Sequence, residues 1–389
     1  MSRPGPDGIF PVPAGVSWEA HVGPTRVLAG CGALERLGSL ARDLGGKRVL
    51  VVTDAGLRRA GHVERGVASL RAARVTPVVF DGVQENPTST QVDAGTAFAR
   101  DHDIDLIVGL GGGSSMDTAK GINFILTNGG TMADYRGRGK ASQAMLGSIG
   151  VPTTAGTGSD AQSYALISDP VTRVKMACGD PKARFTAVIL DPALSLTQPE
   201  HTTAVTALDA IGHAVETFVT RSRTPVSSLY ARESWRLLSS HLPRVLATPA
   251  DLDARAAMLW GAHLAGAAIE ASMLGAAHAC ANPLTSRCRL EHGVAVALML
   301  PHVVSFNRPA VGAEYGELMS IIGAVGDDLA ERIVLLRGAA GLPGRLRDCG
   351  VTEADLQPMA GEAAAQWTGQ HNPVELTVDA ARKLYDAAY

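Results

Sequence analysis

The stretch Asp105–Leu110, DLIVGL, runs straight into Gly111-Gly112-Gly113-Ser114-Ser115 and then into a helix-forming segment, Met116–Thr127. A continuous apolar run of that length reads as a strand buried on both faces. Glycines let a backbone approach a ligand closely, and the free amides of a helix N-terminus point at an anion. A tight strand–helix turn without any ligand is the plain alternative. Four glycines in five residues (Gly109, Gly111, Gly112, Gly113) are more than such a turn needs. The arrangement therefore predicts a phosphate loop. Lys47–Thr53, Thr76–Phe80, Gly150–Thr157 and Ala187–Leu190 read as further strands, with helical stretches between them. That alternation predicts a parallel α/β sheet over the first half of the chain. Residues 1 to about 15 read as a loose arm or edge segment.

After Pro192 the β-branched runs nearly vanish. Ala/Leu-rich periodic segments take over at 203–220, 225–241, 251–270, 291–306, 312–325, 327–340 and 378–388. The expected architecture is an α/β dinucleotide-binding domain at 1–192 followed by an all-helical domain at 193–389. A formal net charge of −3 offers no basic stripe, so nucleic acid is not an expected partner. No apolar run reads as a membrane span, and the Pro/Gly-rich start lacks the apolar core of a secretion signal. Five scattered cysteines without a CxxC spacing point to free thiols in a reducing cytoplasm.

In the helical half, Thr203–Thr220 places Asp209 and His213 four residues apart, on one side of a helix. A carboxylate and an imidazole placed that way can grip one divalent metal ion. His278 lies among small residues in GAAHACA, where an imidazole needs a partner or costs free energy. His292 opens another apolar helix. Singly, each has a bland reading: a solvated helix acid, a core histidine bonded to a carbonyl, a helix-end residue. Together they make a candidate metal site, and the donor set suits Fe(II) or Zn(II). The other histidines read as surface or core residues, with His263 the one lying in a helix near the site. Upstream, Asp54 ends a strand and could bind a ribose 2′-hydroxyl, favouring NAD over NADP, or could simply cap a helix. Asp117 sits one turn into the helix after the glycines, where a charge at the dipole end is the alternative reading. The loop Pro152–Asp160 adds hydroxyls and glycines that could complete the cofactor site. In a standard Rossmann unit the glycine loop comes first and the acidic residue second; here that order is reversed.

These residues carry a resemblance to a known family, the iron-dependent (group III) alcohol dehydrogenases. It spans about Gly23 to Tyr389 and rests on VVTD ending at Asp54, DGVQENP around Asn86, GLGGGSSMDTAK at 109–120 and PTTAGTGSD at 152–160. It continues through ILDP at 189–192, DAIGHAVE at 209–216, GAAHACANPL at 275–284, EHGVAVALMLPHV at 291–303 and HNPVELT at 371–377. The resemblance implies the dehydroquinate synthase-like fold, NAD(H), Fe(II) or alternatively Zn(II), a site in the cleft between two domains, and a homodimer. It puts Asp209, His213, His278 and His292 on the metal-ligand positions and Gly111, Gly112, Gly113 and Ser114 on the pyrophosphate loop. It also puts Asp54 on the ribose position, Asn86, Asp117, Thr153, Thr154, Thr157 and Lys175 on other cofactor positions, and His278 and Asn282 on positions near the chemistry.

Three departures stand out. Many members have a second histidine four residues after the third ligand, where this chain has Asn282, which cannot titrate. The aromatic-polar run of many members is replaced by Ile269-Glu270-Ala271-Ser272, and the arginine that often follows Asn-Pro is Val374. The implied reaction is interconversion of small-molecule alcohols or diols and their carbonyls. Rivals of the same fold are a glycerol dehydrogenase, a dehydroquinate synthase-like lyase, or a cofactor-binding scaffold that has lost catalysis. A lyase needs basic residues to clamp a substrate phosphate, and the segments around His278 and His292 offer mainly Arg287 and Arg289.

Overall fold

The computed structural model describes residues 15–172 and 174–389. The expected N-terminal arm, residues 1 to about 15, lies almost wholly outside the described residues. The chain forms two compact units, one ending at Gln198 and the other Pro199–Tyr389.

The first unit contains, in order, β1 (Trp18–Val22), β2 (Thr25–Ala29), α1 (Leu37–Asp43), β3 (Arg48–Val52), α2 (Ala55–Arg59), α3 (His62–Ala72), β4 (Thr76–Phe80), α4 (Ser89–Arg100), β5 (Leu106–Gly111), α5 (Gly113–Asn128), β6 (Gly137–Arg138), β7 (Gly147–Pro152), β8 (Tyr164–Ser168), β9 (Lys175–Gly179) and β10 (Ala187–Leu190). Seven strands form one sheet in the order β1-β2-β10-β7-β5-β3-β4, and β6-β9-β8 form a small second sheet. The five predicted strands are present, although the fourth ends at Pro152, earlier than its apolar run suggested. Residues 153–157 form no ladder, because hydroxyls and glycine replace the apolar run there. The hairpin β1–β2 was not anticipated. Its turn is Gly23-Pro24, with Gly23 at φ 57°, and only Gly adopts that conformation at little cost.

From β4 to β10 the strands pair in parallel. Numbered from β3, their order is 2-1-3-4-5, so the chain reverses direction across the sheet between β3 and β5. Ligands of open α/β sheets bind at the carboxyl ends of the strands flanking such a switch point. This topology accounts for the reversed motif order. The strand ending in Asp54 and the strand ending in the glycines are neighbours, in register from Val49↔Leu106 to Val52↔Gly109.

The second unit is helical: α6 (Glu200–Val219), α7 (Pro225–Ala247), α8 (Leu252–Glu270), α9 (Ala276–Cys288), α10 (His292–Ile321), α11 (Leu329–Ala339), α12 (Glu353–Ala364) and α13 (Val378–Ala388). The segments expected at 291–306 and 312–325 run on as one helix, bent where Val311 leaves helical geometry after Pro309. By length and composition alone α10 is long and apolar enough to cross a membrane. In this fold 67% of its most apolar window is buried, as in a core helix. Close packing there depends on small residues. A Cβ at Gly293 would stand 2.2 Å from the Val205 carbonyl oxygen, and one at Gly212 would stand 2.6 Å from Val296 Cγ1.

Candidate active site

Two constellations emerge, one in each unit. In the first, α5 begins at Gly113 with Gly112 in the cap position, and no side chain caps it. Its first-turn amides are therefore available to an anion. Gly111 has φ 151°, a conformation that L side chains rarely adopt, and a Cβ there would meet Leu57 of α2 at 2.9 Å. A Cβ at Gly113 would stand 2.8 Å from Thr157 Oγ1, and one at Gly112 would stand 3.5 Å from Thr154 Cγ2. The Thr153 amide donates to the Gly111 carbonyl at 3.0 Å. The fold thus brings together the glycine loop, Ser114 at the helix start, and Thr153, Thr154 and Thr157.

Asp54 stands at the carboxyl end of β3 and caps α2: its Oδ1 accepts from the Gly56 amide at 2.8 Å and the Leu57 amide at 3.1 Å. The capping alternative is what the structure displays, and both of these bonds fall on one oxygen of the carboxylate. Asn86 is exposed at the carboxyl end of β4, with φ 51°, which asparagine tolerates better than most residues. Lys175 is exposed at the start of β9 opposite Ser168, whose amide donates to the Pro87 carbonyl at 2.8 Å. Asp117 lies in the first turns of α5, only 5% exposed, with its Oδ1 buried and without a hydrogen-bond partner among the described residues. Burial is the main influence on it and pushes its pKa up, against the pull of Lys120.

In the second unit, α6 carries Asp209 and His213, α9 carries His278, and His292 is the first residue of α10. Three imidazole nitrogens converge on one carboxylate oxygen. From Asp209 Oδ1, His213 Nε2 lies at 3.5 Å, His278 Nε2 at 3.4 Å and His292 Nε2 at 3.8 Å. The His213 and His278 rings stack with centroids 4.8 Å apart. Asp209, His213 and His278 are buried, whereas the His292 side chain is 30% exposed and marks the open side. Burial works to raise the Asp209 pKa, but the charges of the nearby His213, His278 and His292 rings hold it well below the carboxylate range. For His278, burial works downward but is outweighed by Glu216 and Asp209, which raise it to about 9.

Asp209, His278 and His292 fit a divalent metal, their donor atoms lying within 4.8 Å of one another, and His213 joins them through its 3.5 Å approach to Asp209. Asp209 Oδ1 and His278 Nε2 are buried with no hydrogen-bond partner among the described residues, a costly state unless something else satisfies them. Four donors at about 2.1 Å from a tetrahedral ion stand about 3.4 Å apart. The distances of 3.4, 3.5 and 3.8 Å are close to that spacing.

Sequence reading missed the groups that aim these donors. Glu216 lies one turn after His213 on α6, and its Oε2 stands 2.5 Å from His278 Nδ1. That contact places a proton on Nδ1, so that in the neutral imidazole Nε2 is the lone-pair nitrogen facing Asp209. Glu216 Oε1 also accepts the Ala277 amide at 2.6 Å. Asn372 Oδ1 accepts the Ala276 amide at 3.2 Å, and Asn372 is locked to Asn307 by reciprocal amide bonds of 2.7 and 2.9 Å. Gly275 at the cap of α9 has no side chain for the task, so α6 and the 371–374 turn cap the helix from outside. The i,i+3 and i,i+7 spacing of Glu216 to His213 and Asp209 was the available signal. Asn282 Nδ2 donates to Gln366 Oε1 at 3.1 Å, one turn beyond His278. His263 is a core residue, 1% exposed and stacked on Trp260.

Comparison with known proteins gives the family. Residues 24–192 match the iron-containing alcohol dehydrogenase family model, and 203–389 match the C-terminal model of the Fe-containing alcohol dehydrogenase family. The chain is 32% identical to the NAD-dependent methanol dehydrogenase of Bacillus methanolicus over 91% of this chain and 96% of that one. It is 36% identical to the 1,3-propanediol dehydrogenase of Klebsiella pneumoniae over 88% and 92%. Among solved structures, a 1,3-propanediol oxidoreductase superposes with a TM-score of 0.90 at 32% identity, over 93% of this chain and 97% of that one. The sulfoacetaldehyde reductase of Bifidobacterium kashiwanohense, in complex with NAD+, superposes with a TM-score of 0.86 at 28% identity, over 94% and 97%. The chain belongs to the iron-containing alcohol dehydrogenase family.

Proposed function

We propose that this protein interconverts short alcohols or diols and their carbonyl compounds with NAD(H), at a divalent metal, iron or alternatively zinc, held by Asp209, His213, His278 and His292. The observation that carries the reading is the convergence of three imidazole nitrogens on one buried Asp209 oxygen. A metal bound there supplies Lewis acidity to a substrate oxygen, and NAD(H) supplies or accepts the hydride. The chain's own residues do the rest. Glu216 holds the proton on His278 Nδ1, so that Nε2 stays a donor of electrons. Burial of Asp209, His213 and His278 keeps water from those donors, while His292 borders the approach for substrate. The α5 N-terminus with Gly111–Ser114, and the hydroxyls of Thr153, Thr154 and Thr157, receive the cofactor pyrophosphate. Asp54 receives the ribose and disfavours a 2′-phosphate, and Asn86 and Lys175 border the same strand ends. Asn282 serves as a hydrogen-bonding neighbour of His278 that does not itself exchange a proton.

Relatives that act on methanol and 1,3-propanediol by name support short alcohols and diols as the substrate class. The cofactor domain is taken as 1–192 and the metal domain as 193–389, in line with the limits of the two family models. The five free cysteines and the family resemblance support a cytoplasmic homodimer. The test is to strip the protein with chelator, restore Fe(II) or Zn(II) anaerobically, and follow NADH and NADPH consumption with a panel of short aldehydes. Metal-dependent NADH oxidation is expected. Turnover that persists after complete stripping refutes the metal reading.

A further inference from the structure

Lys120 lies on α5, two turns beyond the glycine loop, and is only 2% exposed. A buried lysine at such a place needs a reason, because desolvating an ammonium is costly. Its Nζ donates to the Ser159 carbonyl at 2.6 Å, the Gln162 carbonyl at 2.7 Å and the Tyr164 carbonyl at 2.8 Å. Asp117 Oδ1 stands 4.0 Å away, and the Phe185 ring centroid 5.3 Å away. Three carbonyl oxygens turned to one point, with a carboxylate behind them, form the kind of cage that binds a cation. Residues 153–163 have no ladder or helix of their own to fix them. Yet this segment supplies Thr153, Thr154 and Thr157, and Thr157 is the residue that a Cβ on Gly113 would strike.

We propose that Lys120 is a built-in cation, its ammonium filling a three-carbonyl cage and so holding the 153–164 segment in register with the glycine loop. This makes Lys120 a positioning residue for cofactor binding, and it rests on the reading of these loops as the pyrophosphate site. The strand–helix pair β5–α5 alone sets the glycine loop. Lys120 adds the second wall, because the Thr157 hydroxyl reaches the loop only if the chain from Ser159 to Tyr164 keeps its three carbonyls turned inward. Asp117, 4.0 Å from the ammonium, lies on the same helix behind the cage.

The test combines wild-type hydrogen exchange with a lysine variant. In the unliganded wild type, amides of 157–164 are expected to exchange nearly as slowly as those of α5. Lys120→Ala is expected to raise the dissociation constant and KM for NADH by about ten-fold or more, with a smaller change in kcat. Propylammonium, which replaces the missing methylenes and ammonium, is expected to restore NADH affinity, whereas tetramethylammonium at equal ionic strength is not. Should Lys120→Ala fail to fold, the near-isosteric Lys120→Met takes its place in the same titrations. The proposal is overturned if the wild-type segment exchanges like an exposed turn. Wild-type NADH affinity in the variant, or lost affinity that propylammonium leaves unrestored, overturns it equally. A wild-type protein that binds no NADH defeats the cofactor reading, and hydrogen exchange then still judges the cage.

Discussion

Glu216 holds the Ala277 amide on one oxygen and the His278 ring on the other, so a single carboxylate sets both the start of α9 and the tautomer of a proposed ligand. Glu216→Gln keeps the size but loses the charge that favours the protonated Nδ1. It is expected to weaken metal binding by about 10- to 100-fold, measured by competition with a chromophoric chelator, while secondary structure is retained. An unchanged affinity would show that His278 is aimed by packing alone. Asp54 caps α2 and is proposed to meet the cofactor ribose as well. Asp54→Ala removes the α2 cap at a cost of about 1 kcal/mol and removes the charge that repels a 2′-phosphate. A lower melting temperature together with a higher NADPH-to-NADH ratio of kcat/KM is expected; a lower melting temperature without any change in the ratio would leave Asp54 as a cap only. The Asp209/His213 pair was legible because helical spacing fixes neighbours within one element. Glu216 was adjacent in the same motif, but its partner His278 is 62 positions away, and pattern within a segment carries no such distance. The burial of Asp117 was not legible for a related reason: its place in the helix was correct, but which side faces the core depends on tertiary packing.

At the scale of elements, long apolar runs and long periodic helices were legible, and short or atypical pieces were not. Thr76–Phe80 and Ala187–Leu190 have the limits their β-branched runs imply. The small sheet β6-β9-β8 escaped because its strands mix Lys, Cys, Gly and Ser with apolar residues. The helix α9 contains Pro283, and α12 contains Pro358, which blurs a helical pattern even though a proline after the first turn can be accommodated. The packing of α6 on α10 depends on Gly293, whose Cβ would press on a backbone carbonyl that cannot move aside as a side chain can. Gly293→Ala is therefore expected to separate α6 from α10 and carry His292 away from Asp209, costing several kcal/mol of stability, about the upper range for overpacking. Thermal unfolding and metal retention measured on the same variant check this. Retention of full metal affinity would mean that the helices slide without moving the donors.

For the molecule as a whole, the proposed chemistry divides between the two units, a sheet switch point in one and the Asp209–histidine cluster in the other. Metal that binds the native state at a hundred times its dissociation constant adds about 2.7 kcal/mol of stability. Chelation is accordingly expected to loosen α6, α9 and α10 in hydrogen exchange while β3, β5 and β7 keep their protection. Uniform loosening of both units would contradict that division. The two-part organisation was legible from the change of texture after Pro192, because parallel strands and buried helices have different composition. The order of the strands was not, since neighbours in a sheet are chosen by crossover packing and leave no local mark. The most direct test of the central claim is anomalous diffraction at the iron edge from crystals of protein loaded anaerobically with Fe(II). The account predicts one strong peak within bonding distance of Asp209, His213, His278 and His292. A loaded crystal with no peak among these four residues, or with its peak elsewhere, would contradict it.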